Sequence, residues 1–148
     1  INSEFPFQTL IFAQSGLTNI ISALVSTNLE GQKFGALALG NFCANPQFQT
    51  TVMEHGAVAN LVGVLSQEQS LNDSKSYASF ALANLAALPA NHALLIESNV
   101  VGALCSFLNQ GDPSSFNFVS KGFANLCSVS LNHTAIVESG GIQAIIGL

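Results

Sequence analysis

The sequence predicts an all-α protein built as an array of repeated three-helix units. Three observations lead there. An asparagine recurs inside an apolar helical run at ALGNF (Asn41), LANLA (Asn84) and FANLC (Asn125), with spacings of 43 and 41 residues. A second marker keeps the same rhythm: QSG (Gly16), EHG (Gly56), ESN (Asn99) and ESG (Gly140), spaced 40, 43 and 41 apart. Third, apolar residues stand five, eight and nine positions after each marker: Ile21, Leu24 and Val25, then Leu61, Val64 and Leu65, then Leu104, Phe107 and Leu108, with Ile145 and Leu148 in the last copy. Those offsets describe one apolar face of a helix, and no useful run of period-two alternation competes.

Each unit opens with a short first helix: PFQTLIFAQ, FQTTVMEH, HALLIES and HTAIVES. The Gly or Asn marker follows, and these residue types tolerate the left-handed conformation expected at a helix end. The second helix covers roughly 17–26, 57–67, 100–109 and from 141 onward. Polar breaks such as NLEGQ, NDS and QGDPSS lead to a third helix over roughly 31–44, 74–88 and 115–128. Pro46 and Pro89 fall just past the end of a third helix, where proline is expected. Asp73 and Ser74 are candidate N-caps for the third helix of the second unit. The units therefore read as about 5–44, 46–88, 90–128 and a partial 130–148, all in one domain. The last unit closes on IIGL without the polar cap that ends a solenoid, which predicts a segment of a longer array, prone to associate through its uncapped ends.

An amide in mid-helix lowers helix propensity and is costly to bury without partners, so the three asparagines need a reason. Positions minus four, minus seven and minus eight share the asparagine face. They hold Leu37, Phe34 and Lys33 beside Asn41; Phe80, Tyr77 and Ser76 beside Asn84; Lys121, Phe118 and Asn117 beside Asn125. The opposite stripe is apolar: Ala38, Leu39 and Phe42; Ala78, Ala81, Leu82 and Leu85; Gly122, Phe123 and Leu126. That stripe is the predicted core.

Composition narrows the function. Apolar residues make up 49 % of the chain and charged residues 7 %. A free surface usually carries about 25–35 % charge, so some apolar surface is expected to meet a partner. Three Lys, no Arg and eight acidic residues argue against nucleic acid, which is held by clustered cations. No apolar run reaches the roughly 18 residues of a membrane span, so direct insertion is not expected. The odd number of cysteines, three, gives no disulfide framework or zinc spacing and suggests a reducing compartment such as the cytoplasm.

The stretches GALALGNFCANPQFQTTVMEHGAVANLVGVL and FALANLAALPANHALLIESNVVGALCSFL resemble armadillo repeats of the scaffold or adaptor type. The resemblance implies a right-handed superhelix whose third helices line a concave groove, and a protein–protein interaction scaffold that binds an extended peptide there. In that reading a row of carboxamides, each a donor and an acceptor, would hold the ligand by its backbone. The groove set is Asn41, Asn84 and Asn125 with Phe34, Leu37, Tyr77, Phe80, Phe118, Lys121 and Lys33. The importin-α branch places Trp four residues before the groove Asn. Here that position holds Leu37, Phe80 and Lys121, so the expected ligand is apolar or mixed rather than strongly basic. A spacer segment and a nuclear transport carrier are the alternatives.

Catalytic and metal readings fare poorly. His55, His92 and His133 are too far apart in the array for one metal and are expected at the surface or at helix caps. Cys43, Cys105 and Cys127 read as small apolar residues without an activating base. Glu54, Glu97 and Glu138 recur at one repeat interval rather than sharing a cleft. The glycines of GALALG and ESGGIQ match no phosphate loop. Neither an enzyme nor a cofactor is expected.

Overall fold

A computed structural model describes residues 15–147. The first helix expected for the first unit, PFQTLIFAQ, lies outside the described residues. From there the order is α1 (Leu17–Leu24), α2 (Leu29–Cys43), α3 (Pro46–Glu54), α4 (Ala57–Ser66) and α5 (Asn72–Leu85). A 3-10 turn (Pro89–Asn91) leads into α6 (His92–Glu97), followed by α7 (Val100–Asn109) and α8 (Ser115–Cys127). A second 3-10 turn (Ser130–Asn132) leads into α9 (His133–Glu138) and α10 (Gly141–Ile146). No strand occurs among the described residues.

The stack is a right-handed solenoid of three-helix units. The third helices α2, α5 and α8 lie side by side, and the second helices α1, α4, α7 and α10 form the layer behind them. Leu39, Leu61, Leu65, Leu82, Leu104 and Phe123, each at most 1 % exposed, fill the space between the layers. The predicted core stripe of the second unit, Ala78, Ala81, Leu82 and Leu85, is wholly buried, while Ala38 and Phe42 of the first are half-buried.

Local chemistry explains most boundaries. Asn28 Oδ1 accepts from Gly31 N at 3.0 Å and starts α2. Asn45 Oδ1 accepts from Gln47 N at 3.1 Å, with Pro46 in the first turn of α3, where its missing N–H has no partner to lose. Gly56 (φ 75°), Asn99 (φ 60°) and Gly140 (φ 79°) take the left-handed corner that the sequence predicts. Gly16 does not: its φ is −68°, because Ser15 and Gly16 form a π turn that runs straight into α1. The expected caps Asp73 and Ser74 are also displaced. Helix α5 starts earlier, at Asn72, with Leu71 in the cap position and no side-chain cap. The Asn72 side chain instead bonds Asp112 of the next unit, Asp73 sits in the first turn, where negative charge suits the helix dipole, and Ser74 is buried.

Candidate functional site

The third-helix face carries the asparagine row as a ladder, and the ladder points mostly inward. Asn84 Nδ2 donates to Gly40 O at 3.0 Å, on the preceding unit's third helix. Asn125 Nδ2 donates to Ala83 O at 2.9 Å, one unit further on. Lys121 Nζ donates to Asn84 Oδ1 at 3.1 Å, so both ends of the Asn84 amide are occupied, and the residue is 6 % exposed. The sequence suggests pairing with a ligand backbone; here the Asn84 amide is engaged within the stack. Asn41 differs. It is exposed, and among the described residues its carboxamide has no partner.

The aromatic row divides in the same way. Phe34 is 59 % exposed, with Lys33 Nζ 5.0 Å from the centre of its ring. Lys33 also pairs with Glu30 at 2.7 Å, and that hydrogen bond raises the ammonium above the ordinary lysine value. Tyr77 is half-buried against the core. Phe118 is half-buried too and packs on Phe80 of the preceding unit, with ring centres 4.9 Å apart. Phe80 in turn covers Gly40: a Cβ added there would stand 2.3 Å from the ring. Leu37 is half-buried between these features and Lys121 is exposed. Among the described residues the exposed members of the predicted groove set are Phe34, Asn41 and Lys121.

A second ladder crosses the unit boundaries, and sequence reasoning missed it. Gln49, His92 and His133 each bond the carbonyl six residues back: Gln49 Nε2 to Cys43 O at 2.7 Å, His92 Nε2 to Ala86 O at 2.8 Å, His133 Nε2 to Cys127 O at 2.8 Å. The next unit's asparagine closes the rung. Asn91 Nδ2 donates to Gln49 Oε1 at 2.9 Å, and Asn132 Nδ2 donates to His92 Nδ1 at 2.7 Å. Gln49 Nε2 further donates to Asn84 O at 3.1 Å, tying this ladder to the first. The sequence places His92 at the surface or at a cap; it is the first residue of α6, after the cap Asn91, and is buried at 3 % exposure with its ring on the Ala86 carbonyl at the end of α5. The available signal was position: all three stand eight residues after a third-helix asparagine.

The family defined by the SIL1/FES1/HPBP1 C-terminal domain matches residues 8–118. The chain belongs to this family. Comparison with curated proteins gives no match. Solved structures give the fold. An engineered protein is 25 % identical with a TM-score of 0.83, over 91 % of this chain and 55 % of its own. A designed armadillo repeat protein in complex with the peptide (KR)4 is 21 % identical with a TM-score of 0.84, over 96 % and 60 %. Computationally designed armadillo repeat proteins for modular peptide recognition match at 23 % identity and a TM-score of 0.84, over 90 % and 57 %. The chain thus spans a little over half the length of these structures. Its repeats have the armadillo fold.

In this SIL1/FES1/HPBP1 C-terminal domain the three histidines each bond a carbonyl of the chain's own backbone. Among the described residues no three His, Cys, Asp or Glu side chains cluster so as to hold a metal. Both ring nitrogens of His92 are bonded, and His55 Nδ1 lies 2.8 Å from Thr51 O. Burial pushes the Cys43 thiol up to about 12 and raises Cys105 as well, while Cys127 is exposed. Glu54, Glu97 and Glu138 are exposed at the ends of the first helices. Among the described residues no single helix is long and apolar enough to cross a membrane.

Proposed function

We propose that this domain is a protein-binding scaffold that holds an extended segment of a partner against the face of α2, α5 and α8, anchored in the first unit. The asparagine position carries the reading. Asn84 and Asn125 already bind backbone carbonyls there, and Asn41, at the same position of its helix, is exposed. An extended peptide presents the same backbone groups, and a carboxamide can meet an N–H and a C=O together. Phe34 supplies the adjacent apolar anchor, the kind of aromatic contact that dominates binding energy in many interfaces. Asn125 keeps its Oδ1 and one N–H for a ligand, since its Nδ2 donates one bond to Ala83 O. The designed neighbours described in complex with a peptide, or as made for peptide recognition, support this use of the fold.

The partner segment is apolar or mixed in character, since Lys33 and Lys121 stand on the same face and would oppose a strongly basic ligand. Peptides selected from a random library on the wild-type domain supply the test. Asn41→Ala and Phe34→Ala should each weaken binding about tenfold, the effect of losing one good contact of about 1.4 kcal/mol, with Tm unchanged. Unchanged affinity in both variants, with the fold intact, overturns the reading.

A further inference from the structure

A cavity of about 260 Å³ opens between the first and second units, lined by Val25, Ser26, Thr27, Leu29, Gln32, Gln67 and Gln69. Gln32 is 1 % exposed. Its Nε2 donates to Leu24 O at 3.0 Å, which fixes the amide's orientation and leaves Oε1 as a buried acceptor without a partner. The other amide oxygen here is lightly used: Gln67 Oε1 receives Gln32 Nε2 and Ser70 Oγ, both at the long distance of 3.4 Å. Both glutamines line one cavity, Gln67 Oε1 is held only by long bonds, and a buried acceptor without a donor, such as Gln32 Oε1, is costly.

The second unit shows what such a place holds. Lys75 stands nine residues before Asn84, as Gln32 stands nine before Asn41, and Gln110 lies 43 residues after Gln67. Each of the pair is the fourth residue of its helix. In the second unit the Lys75 ammonium donates to Gln110 Oε1 at 3.0 Å, and Lys75 as a residue is 3 % exposed. The first unit has the matching glutamine but no ammonium.

We propose that the cavity between Gln32 and Gln67 binds a primary alkylammonium group, donating N–H bonds to Gln67 Oε1 and Gln32 Oε1 as Lys75 donates to Gln110. A lysine side chain of a partner and a free aliphatic amine share this chemistry. The chain's formal charge of −5 favours either. The site adjoins the peptide-binding face: buried Gln32 directly precedes Lys33 and Phe34 on α2, and Asn41 lies nine residues further on, about 13 Å along the helix.

The test is a titration of the wild-type domain, followed by NMR, with n-butylammonium, with N-acetyl-lysine methylamide, and with tetramethylammonium as a cation that has no N–H. The first two should shift the side-chain amide signals of Gln32 and Gln67, and the third should not. Binding of both shows that the site reads the ammonium alone; binding of the lysine derivative only assigns it to a partner's lysine. Gln32→Lys, which copies the second unit, should remove the response while leaving the fold intact. Gln32→Met keeps the bulk, deletes the acceptor, and should weaken binding about tenfold, which decides the matter should Gln32→Lys not fold. No response at Gln32 and Gln67 in the wild type, an equal response to tetramethylammonium, or undiminished binding in the folded variants overturns the proposal.

Discussion

Asn132 Nδ2 donates to His92 Nδ1 at 2.7 Å, joining two residues 40 positions apart across a unit boundary. The other ring nitrogen donates to Ala86 O, so the neutral ring with its proton on Nε2 is the form that fits. One unit earlier an amide does the same work, with Gln49 Nε2 on Cys43 O and Gln49 Oε1 receiving Asn91. The rung asks for a donor at one end of a side chain and an acceptor at the other, and two unlike residues meet it.

Interchange of the two residues tests that requirement. His92→Gln should fold with stability within about 1 kcal/mol of wild type, because the amide can reproduce both bonds. His92→Leu leaves the Ala86 carbonyl unpaired in a buried site and should cost about 1–3 kcal/mol. Urea unfolding followed by circular dichroism measures both, and equal losses for the two variants would contradict the rung.

Gly40 is held small by Phe80. A Cβ at this position would sit 2.3 Å from the ring, so Gly40→Ala must push Phe80 off its seat and strain the bond from Asn84 to the Gly40 carbonyl. A destabilisation of about 1–3 kcal/mol is expected, typical of overpacking. Gly40→Ala combined with Phe80→Leu should recover part of the loss. Thermal unfolding of the single and double variants checks this, and a stable Gly40→Ala would contradict the packing.

The cysteines carry a pH prediction. The folded Cys43 thiol keeps its proton up to about 12, against an ordinary value of 9.0. An unfolded chain releases that proton first, so the contribution to stability is complete below pH 9.0 and is lost as pH rises toward 12. Cys43→Val should flatten the fall in stability over that window. A thiol reagent at neutral pH should modify exposed Cys127 quickly and reach buried Cys43 and Cys105 only on unfolding. Early modification of Cys43 would contradict its burial.

The fold was legible because its signals repeat. The left-handed corners at Gly56, Asn99 and Gly140 and the apolar stripe through Ala78, Ala81, Leu82 and Leu85 follow from residue type and period alone. The site was legible only in part. A carboxamide has the same chemistry for a ligand backbone as for a neighbouring helix, so Asn84 could be placed on the right face without showing which carbonyl it takes. Gln49 and His92 look unrelated as letters, and their shared role emerges only when each is counted from its asparagine. Gly40 reads as an ordinary helix glycine until the Phe80 ring is found above it. The cap expected from Asp73 and Ser74 fails because Asn72, one unit away from its partner Asp112, starts the helix instead.

The side-chain amide NMR signals of Asn41 and Asn84, followed while a selected peptide is added, test the division of labour on the third-helix face most directly. The Asn41 signals should move and slow their exchange with solvent as the peptide binds, while those of Asn84 stay in place on Gly40 and Lys121. Movement of Asn84 with Asn41 unchanged would contradict the assignment of stacking to one residue and ligand capture to the other.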